Sequence, residues 1–351
     1  GMKDEDIIKD AKEFYAEADG YESRWREQWN DDLRFRALDQ WPESVRKARE
    51  LAGPGEPPRP CLVFDQTDQY VRQVINDARL NPPALKATPV DDKADVEVAE
   101  NLQGIFRYIE AVSRATNAYN TALDWAVTIG RGFIRLHSAQ IDEYRNLWEP
   151  RISRVANAMQ VWYDPHSIEI DGSDASDAII VIEMSRGAFK RKYGEDAPTN
   201  TWVGEYDSWI NKDTVLIAEW HTCREESVDM VITADGRMTP ELAAKRGLMD
   251  FRTEKVKQKV AMVHQLTGAE VIESTKFVGG GVGIVPVYGN ERYTAEGREL
   301  FGLIRAAKDP QRMLNYLASN FAEASNGQTR APWVLPFEAA SGFEQQWERA
   351  N

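Results

Sequence analysis

The sequence predicts an α+β fold, with helices at both ends and a sheet-rich middle. Three observations carry this. Apolar side chains recur at three- and four-residue spacing through most of residues 4–129, the period of a helix. Short β-branched runs divided by turn residues fill the middle, as strands do. Helical spacing returns after Asn290. Strands and helices that occupy separate stretches of the chain fit an α+β layout with a mixed or antiparallel sheet.

The elements follow in order. Residues 4–39 read as two helices, with Ile7, Ala11, Phe14 and Ala18 on one, Trp25, Trp29 and Leu33 on the next, and Gly20 as the break. Trp41-Pro42 opens another helix, and the Gly/Pro-rich run 53–60 is a loop. "CLVF" (61–64) is a short strand candidate. Residues 65–79 are helical, with Tyr70, Val71, Val74, Ile75 and Ala78 on one side, and "LNPP" stops them. The longest helical stretch, 93–129, carries Val96, Ala99, Ile105, Phe106, Ile109 and Val112 in one stripe and continues onto a second helix. "FIRLH", "VWYD", "AIIVIEM", "TVLIAEWHTC", "DMVIT", "EKVKQKVAMVHQ" and "AEVIES" read as strands, and "GGGVGIVPVYG" as a loop entering one more. Thr294 is placed to cap a helix carrying Leu300, Phe301, Leu303 and Ile304. Asp309 and Pro310 open another, with Met313, Leu314, Leu317 and Phe321 on its apolar face. Asn326-Gly327 ends it. Residues 329–351 are extended and aromatic, with Trp333, Phe337, Phe343 and Trp347.

The chain has 351 residues, which is more than one core usually holds. Its net charge of −14 argues against tight binding of free DNA through a bulk field. Cys61 and Cys223 are too few and too far apart for a disulfide framework, which points to a reducing compartment. No apolar run is long enough to span a membrane, and the acidic start does not fit a signal peptide.

Catalytic signals are weak. His137, His166, His221 and His264 share no metal-ligand spacing and lie beside strand-like runs. Asp171, Asp174 and Asp177 could hold a divalent cation, which would make a metal-dependent hydrolase the alternative function; their spacing fits a surface turn better. "GGGVG" lacks the Lys-Ser/Thr ending of a phosphate loop. No cofactor is expected. A basic stripe is more informative. On one continuous helix at about 100° per residue, Arg298, Arg305, Lys308 and Arg312 would fall on one side. Leu300, Leu303, Ile304, Leu314, Leu317 and Phe321 would fall on the other.

Several stretches together resemble the portal proteins of short-tailed, double-stranded DNA bacteriophages. They are "RPCLVFDQTDQYVRQVINDARLNPP" (59–83), "AENLQGIFRYIEAVSRATNAYNTALDWAVTIGRGFIRL" (99–136), "VWYDPHSIEIDGSDAS" (161–176), "VPVYG" and "KDPQRMLNYLASNFAEA" (308–324). The resemblance runs from about Arg24 to the end.

It implies a non-enzymatic structural protein, forming a dodecameric ring at one capsid vertex. Double-stranded DNA would pass through the ring without being tightly bound. The implied partners are the terminase large subunit, a tail adaptor, and scaffolding and coat proteins, with no membrane; a monomeric scaffold or adaptor is the other alternative. Residues 1–92 would be the helical part of a wing and 93–290 its α+β core. Residues 291–328 would be a stem helix region and 329–351 the start of a clip. Arg298, Arg305, Lys308 and Arg312 would face the channel or a neighbouring subunit. Leu300, Leu303, Ile304, Leu314, Leu317 and Phe321 would pack the stem, and Trp333, Phe337, Phe343 and Trp347 would make clip contacts. Family members are longer, so the returning stem helix and the crown or barrel are expected to lie outside this chain, as in a truncated form or a remnant gene.

Overall fold

The computed structural model describes residues 4–51, 58–82, 85–89, 96–142, 147–194, 214–233, 236–247, 252–295 and 297–328. The clip candidates Trp333, Phe337, Phe343 and Trp347 lie outside them.

The first helix, α1 (Asp4–Arg36), is continuous. This corrects the expected break at Gly20. Ser23 Oγ donates to the Gly20 carbonyl, and Ile7, Ala11, Ala18, Trp29 and Phe35 are all buried along the helix. Burial on both sides of the glycine outweighs its helical penalty of about 1 kcal/mol. Pro42 precedes α2 (Glu43–Glu50). Asp65 accepts the N–H groups of Thr67 and Asp68 and so starts α3 (Thr67–Leu80), which Asn81 ends. Arg114, in the left-handed region at φ 51°, separates α4 (Val96–Ser113) from α5 (Ala115–Ile129).

The middle builds two antiparallel sheets. In the three-stranded sheet, β1 (Arg131–Asp142) lies between β2 (Leu147–Arg154) and a later strand. Sequence reasoning missed β2 because Pro150 sits inside it; as an edge strand it tolerates proline. The larger sheet starts with β3 (Val161–Tyr163) and β4 (Asp177–Ser185). Then come α6 (Arg186–Tyr193), β5 (Thr214–Thr233), β6 (Gly236–Met238), α7 (Pro240–Lys245), β7 (Thr253–Leu266) and β8 (Val271–Phe277). Its order is β3-β4-β5-β7-β8, with β6 on β5. "TVLIAEWHTC" and "DMVIT" belong to one strand of 20 residues, β5. The later strand beside β1 is β9 (Ile284–Tyr288).

The stretch after Asn290 departs from the helical expectation. Here β10 (Asn290–Thr294) and β11 (Gly297–Phe301) form a hairpin, with Gly297 at φ 114°. Thr294 is therefore not a helix cap, and Leu300 sits on a strand. The last helix, α8 (Leu303–Gln328), begins two turns before Pro310 and runs through it. Asp309-Pro310 is thus not a helix start. Burial of Ile304 and Lys308 against the rest of the fold holds the turns ahead of the proline, whose missing N–H removes one helical hydrogen bond.

Packing ties these parts together. Ile7, Ala11 and Ala18 of α1 cover Trp162, Ile179, Val181, Ala218, Trp220 and Leu266 on one face of the larger sheet. Phe133, Tyr163, Ala178, Ile180 and Ile284 fill the space between the sheets. The far end of α1 meets α3, α5, β11 and α8 through Phe35, Val71, Ile75, Ile304, Trp29, Ile129 and Leu300. The β11–α8 junction needs a glycine: a Cβ on Gly302 would lie 2.1 Å from the Thr128 carbonyl oxygen.

Candidate assembly surfaces

The predicted basic stripe is not a single free face. Arg298 is on β11; it is ion-paired with Glu291 across the hairpin and donates to the Ser167 carbonyl at 2.8 Å. Arg305 forks onto Asp32 of α1 at 2.8 and 3.0 Å and reaches Gln28 at 2.7 Å. Lys308 joins the same carboxylate at 2.6 Å and also pairs with Asp31. Asp32 is fully buried, and a buried charge must be neutralised, so these cations turn inward. Arg312 lies over the Phe35 ring, with Asp309 at 3.7 Å. Arg305, Lys308 and Arg312 serve the joint between α1 and α8 and Arg298 serves the β10–β11 hairpin, so the four do not share the one continuous helix on which a common face was expected.

The predicted apolar set divides into two. Leu300 and Ile304 are buried and Leu303 is half-buried, all in the α1/α3/α5 joint. Leu314, Leu317 and Phe321 are exposed, Phe321 by 76%, and Met313 lies beside them. Across the helix from them Gln311, Asn315 and Ser319 are buried, Ser319 completely. Beyond Pro310 the helix is inside out, polar toward the protein and apolar toward solvent.

The inner polar row has a partner that explains it. Residues 61–65 run beside α8 without joining a sheet, and Gln66, in the right-handed helical region, leads into α3. The N–H of Leu62 donates to Ser319 Oγ at 2.9 Å, that of Phe64 to Asn315 Oδ1 at 3.0 Å, and that of Gln66 to Gln311 Oε1 at 3.0 Å. Gln311 Nε2 returns a bond to the Phe64 carbonyl at 2.7 Å, and Asn315 Nδ2 donates to Gln40 at 2.7 Å. The strand predicted at "CLVF" is therefore extended backbone whose hydrogen bonds go to helix side chains. The outer apolar row has no such partner among the described residues.

A second open stripe lies on α4. Val98, Leu102, Ile105, Tyr108 and Val112 are exposed at helical spacing, while the adjacent edge of the helix covers β2. Contiguous exposed apolar surface marks interaction sites.

The carboxylates of the hydrolase alternative are engaged by their own turn and, for Asp177, by β5. Asp174 accepts from Ser167 Oγ and from the N–H groups of Ile168 and Glu169. Partial burial pushes its carboxyl up, and these bonds outweigh that to hold it below the ordinary value. Asp171 accepts from Ser173, and Asp177 from Ser176, Trp220 and Arg224. No group of three or more His, Cys, Asp or Glu among the described residues is placed to hold a metal. The histidines lie on or beside strands. His221 and Glu219 are buried and hydrogen-bonded at 2.8 Å, Arg135 of β1 donates to Glu219 at 2.7 Å, and His264 meets Ser274 at 2.8 Å.

The chain matches the sequence model of the Phage P22-like portal protein family over residues 12–351. It belongs to that family. A curated "Portal protein" from Acyrthosiphon pisum secondary endosymbiont phage 1 is 25% identical over 338 residues. The match covers 89% of this chain and 46% of that relative, so the chain spans about half of the relative's length. As a portal-family chain it has an α+β fold, and among the described residues no helix is long and apolar enough to cross a membrane.

Two features of this portal chain were missed in the sequence. Gln311, Asn315 and Ser319 recur every four residues and signal a polar helix face. Leu102 and Tyr108, added to the apolar residues already noted on α4, make its stripe too wide for one buried edge.

Proposed function

We propose that the full-length protein is the portal ring of a phage or prophage. Its subunits surround an axial channel at one capsid vertex, and double-stranded DNA passes inward during packaging and outward during ejection. The reading is structural and not enzymatic; the terminase large subunit would supply the work of packaging. A tail adaptor docks later, scaffolding and coat proteins surround the ring, and assembly takes place in the host cytoplasm before the protein is held in the virion. Residues 1–92 and 93–290 make the wing, 291–328 lead into the stem and 329–351 begin the clip.

Family membership supports this reading, and the outer face of α8 carries it. Met313, Leu314, Leu317 and Phe321 are presented outward by a helix whose inner side is fully engaged. Sister chains around an axis would cover such a row. Arg298, Arg305 and Lys308 then act within each subunit, and contact between stems falls to the apolar row. Electron microscopy of the full-length gene product tests the reading. Rings with a central hole are expected, and a species that stays monomeric at every concentration overturns it.

A further inference from the structure

A polar cleft opens between α3, α5 and β2. Its first lobe, of about 570 Å³, is lined by Arg79, Arg114 and Arg154 together with Asn117, Asn120 and Ser153. An adjoining lobe of about 640 Å³ shares Arg79, Asn120 and Arg154 and extends to Arg36 at the end of α1. The first lobe contains no carboxylate. In the second, Asp124 is already held by Arg36 at 2.8 Å.

The three cleft arginines stand apart from the others nearby. Arg36 pairs with Asp68 and Asp124, Arg72 with Asp68, Arg131 with Glu22, and Arg151 with Glu149. Arg79, Arg114 and Arg154 have no carboxylate within ion-pair distance among the described residues. In a chain of net charge −14, three unneutralised guanidiniums in one concavity mark a place for an anionic partner.

The chain itself carries a fitting anion. Asp4, Glu5 and Asp6 form the exposed first turn of α1. The cleft lies at the opposite end of the same helix. With 33 residues at about 1.5 Å each, α1 separates the two by about 50 Å. They cannot meet within one chain along that rigid helix, yet they can meet between chains. A duplex is a poorer fit, because its convex backbone cannot enter a concavity flanked by Asp68 and Asp124.

We propose that the Arg79–Arg114–Arg154 cleft receives the acidic first turn of α1 from a second copy of this chain, joining copies head to tail. Such a contact uses two different surfaces, so repetition closes a ring or extends a filament. The inference deepens the ring reading and names a contact that the apolar row of α8 does not supply.

The test is a charge swap in the full-length gene product, read by native mass spectrometry at about 0.15 M salt, where screening reaches about 8 Å. Arg79→Glu with Arg154→Glu, and separately Asp4→Lys with Asp6→Lys, should each lose the assembled species while thermal melting stays that of the parent. All four changes together should restore assembly, which a purely structural role for the arginines would not allow. Assembly unaffected by either pair, or lost and not restored by the combination, overturns the proposal. So does an intact assembly in which the cleft pair abolishes binding of inorganic phosphate or duplex DNA. Rings that form equally in every variant remove this contact and leave the ring reading standing, whereas no self-association in the parent removes both.

Discussion

The backbone N–H of Phe64 ends on Oδ1 of Asn315, 3.0 Å away and 251 residues along the chain. The same side chain holds Gln40 through Nδ2. One amide thus fastens an extended segment and the turn after α1 to α8. Replacing Asn315 by Ala should cost about 1–3 kcal/mol, since it leaves a buried donor unpaired. Asn315→Asp keeps the acceptor but buries a carboxylate with no cation beside it among the described residues and sets an oxygen against Gln40 Oε1, so it should cost at least as much. Urea denaturation of both variants measures this, and a parental midpoint for Asn315→Ala removes the fastening role.

The outer row of α8 should behave oppositely. Leu317→Glu with Phe321→Glu changes exposed positions, so stability should stay within about 0.5 kcal/mol per change. Self-association of the full-length protein should be lost, as seen by sedimentation velocity. Rings of normal size in the double variant would detach this face from assembly.

Asp32 binds two cations in a buried site. Asp32→Asn strands Arg305 and Lys308 and should destabilise the fold by about 3–5 kcal/mol. Reversing the charge of Arg305 should be at least as damaging, because two carboxylates would then face each other in the α1–α8 joint. Chemical denaturation checks both, and a loss under 1 kcal/mol would mean that solvent reaches the pair.

Acid should weaken the fold in two stages. Burial chiefly holds the His137 and His264 imidazoles below their ordinary value of 6.5, so the fold prefers them neutral. Their contribution is complete above that pH and is lost as pH falls below it. Burial pushes the Glu219 carboxyl up, yet the His221 hydrogen bond and the Arg135 charge bring it to about 2. That contribution is present above the ordinary 4.5 and disappears between 4.5 and about 2. Melting temperature against pH should decline below 6.5 and more steeply below 4.5. Glu219→Gln should lower stability at neutral pH and flatten the steep limb.

Gly302→Ala places a methyl 2.1 Å from the Thr128 carbonyl oxygen. Backbone lies on both sides, so relief requires α5 and α8 to separate. A loss of about 1–3 kcal/mol is expected from overpacking, as a drop in melting temperature. A parental melt would show that the junction can yield.

Periodicity disclosed most helices and strands, because those elements bury one face against the protein. It failed where another rule governed. Leu300, Leu303 and Ile304 fit a helical spacing across Gly302, although Leu300 belongs to a hairpin closed by Gly297. Pro310 suggested a helix start because local sequence does not reveal that Ile304 and Lys308 are anchored by α1. The direction of α8 was hidden for a similar reason. Leu314, Leu317 and Phe321 define a face, and only the distant N–H groups of Leu62, Phe64 and Gln66 reveal that the opposite side is the inner one. The arginines of the cleft share no sequence pattern, since Arg79 is on α3, Arg154 on β2 and Arg114 between α4 and α5.

The rungs joining residues 62–66 to α8 behave as a vernier scale. Two residues of extended chain advance about 6.6 Å, whereas four residues of helix advance about 6 Å. The two rulers drift by over half an ångström per step, so only a short run stays aligned. The next graduation pairs position 60 with position 323, and there the sequence abandons the scheme. Pro60 has no N–H to give, and Glu323 turns to Arg49 and Arg59 instead. The run thus stops where the donor and acceptor are lost, at Pro60 and Glu323, and inserting one residue on either side would throw the whole scale out of step.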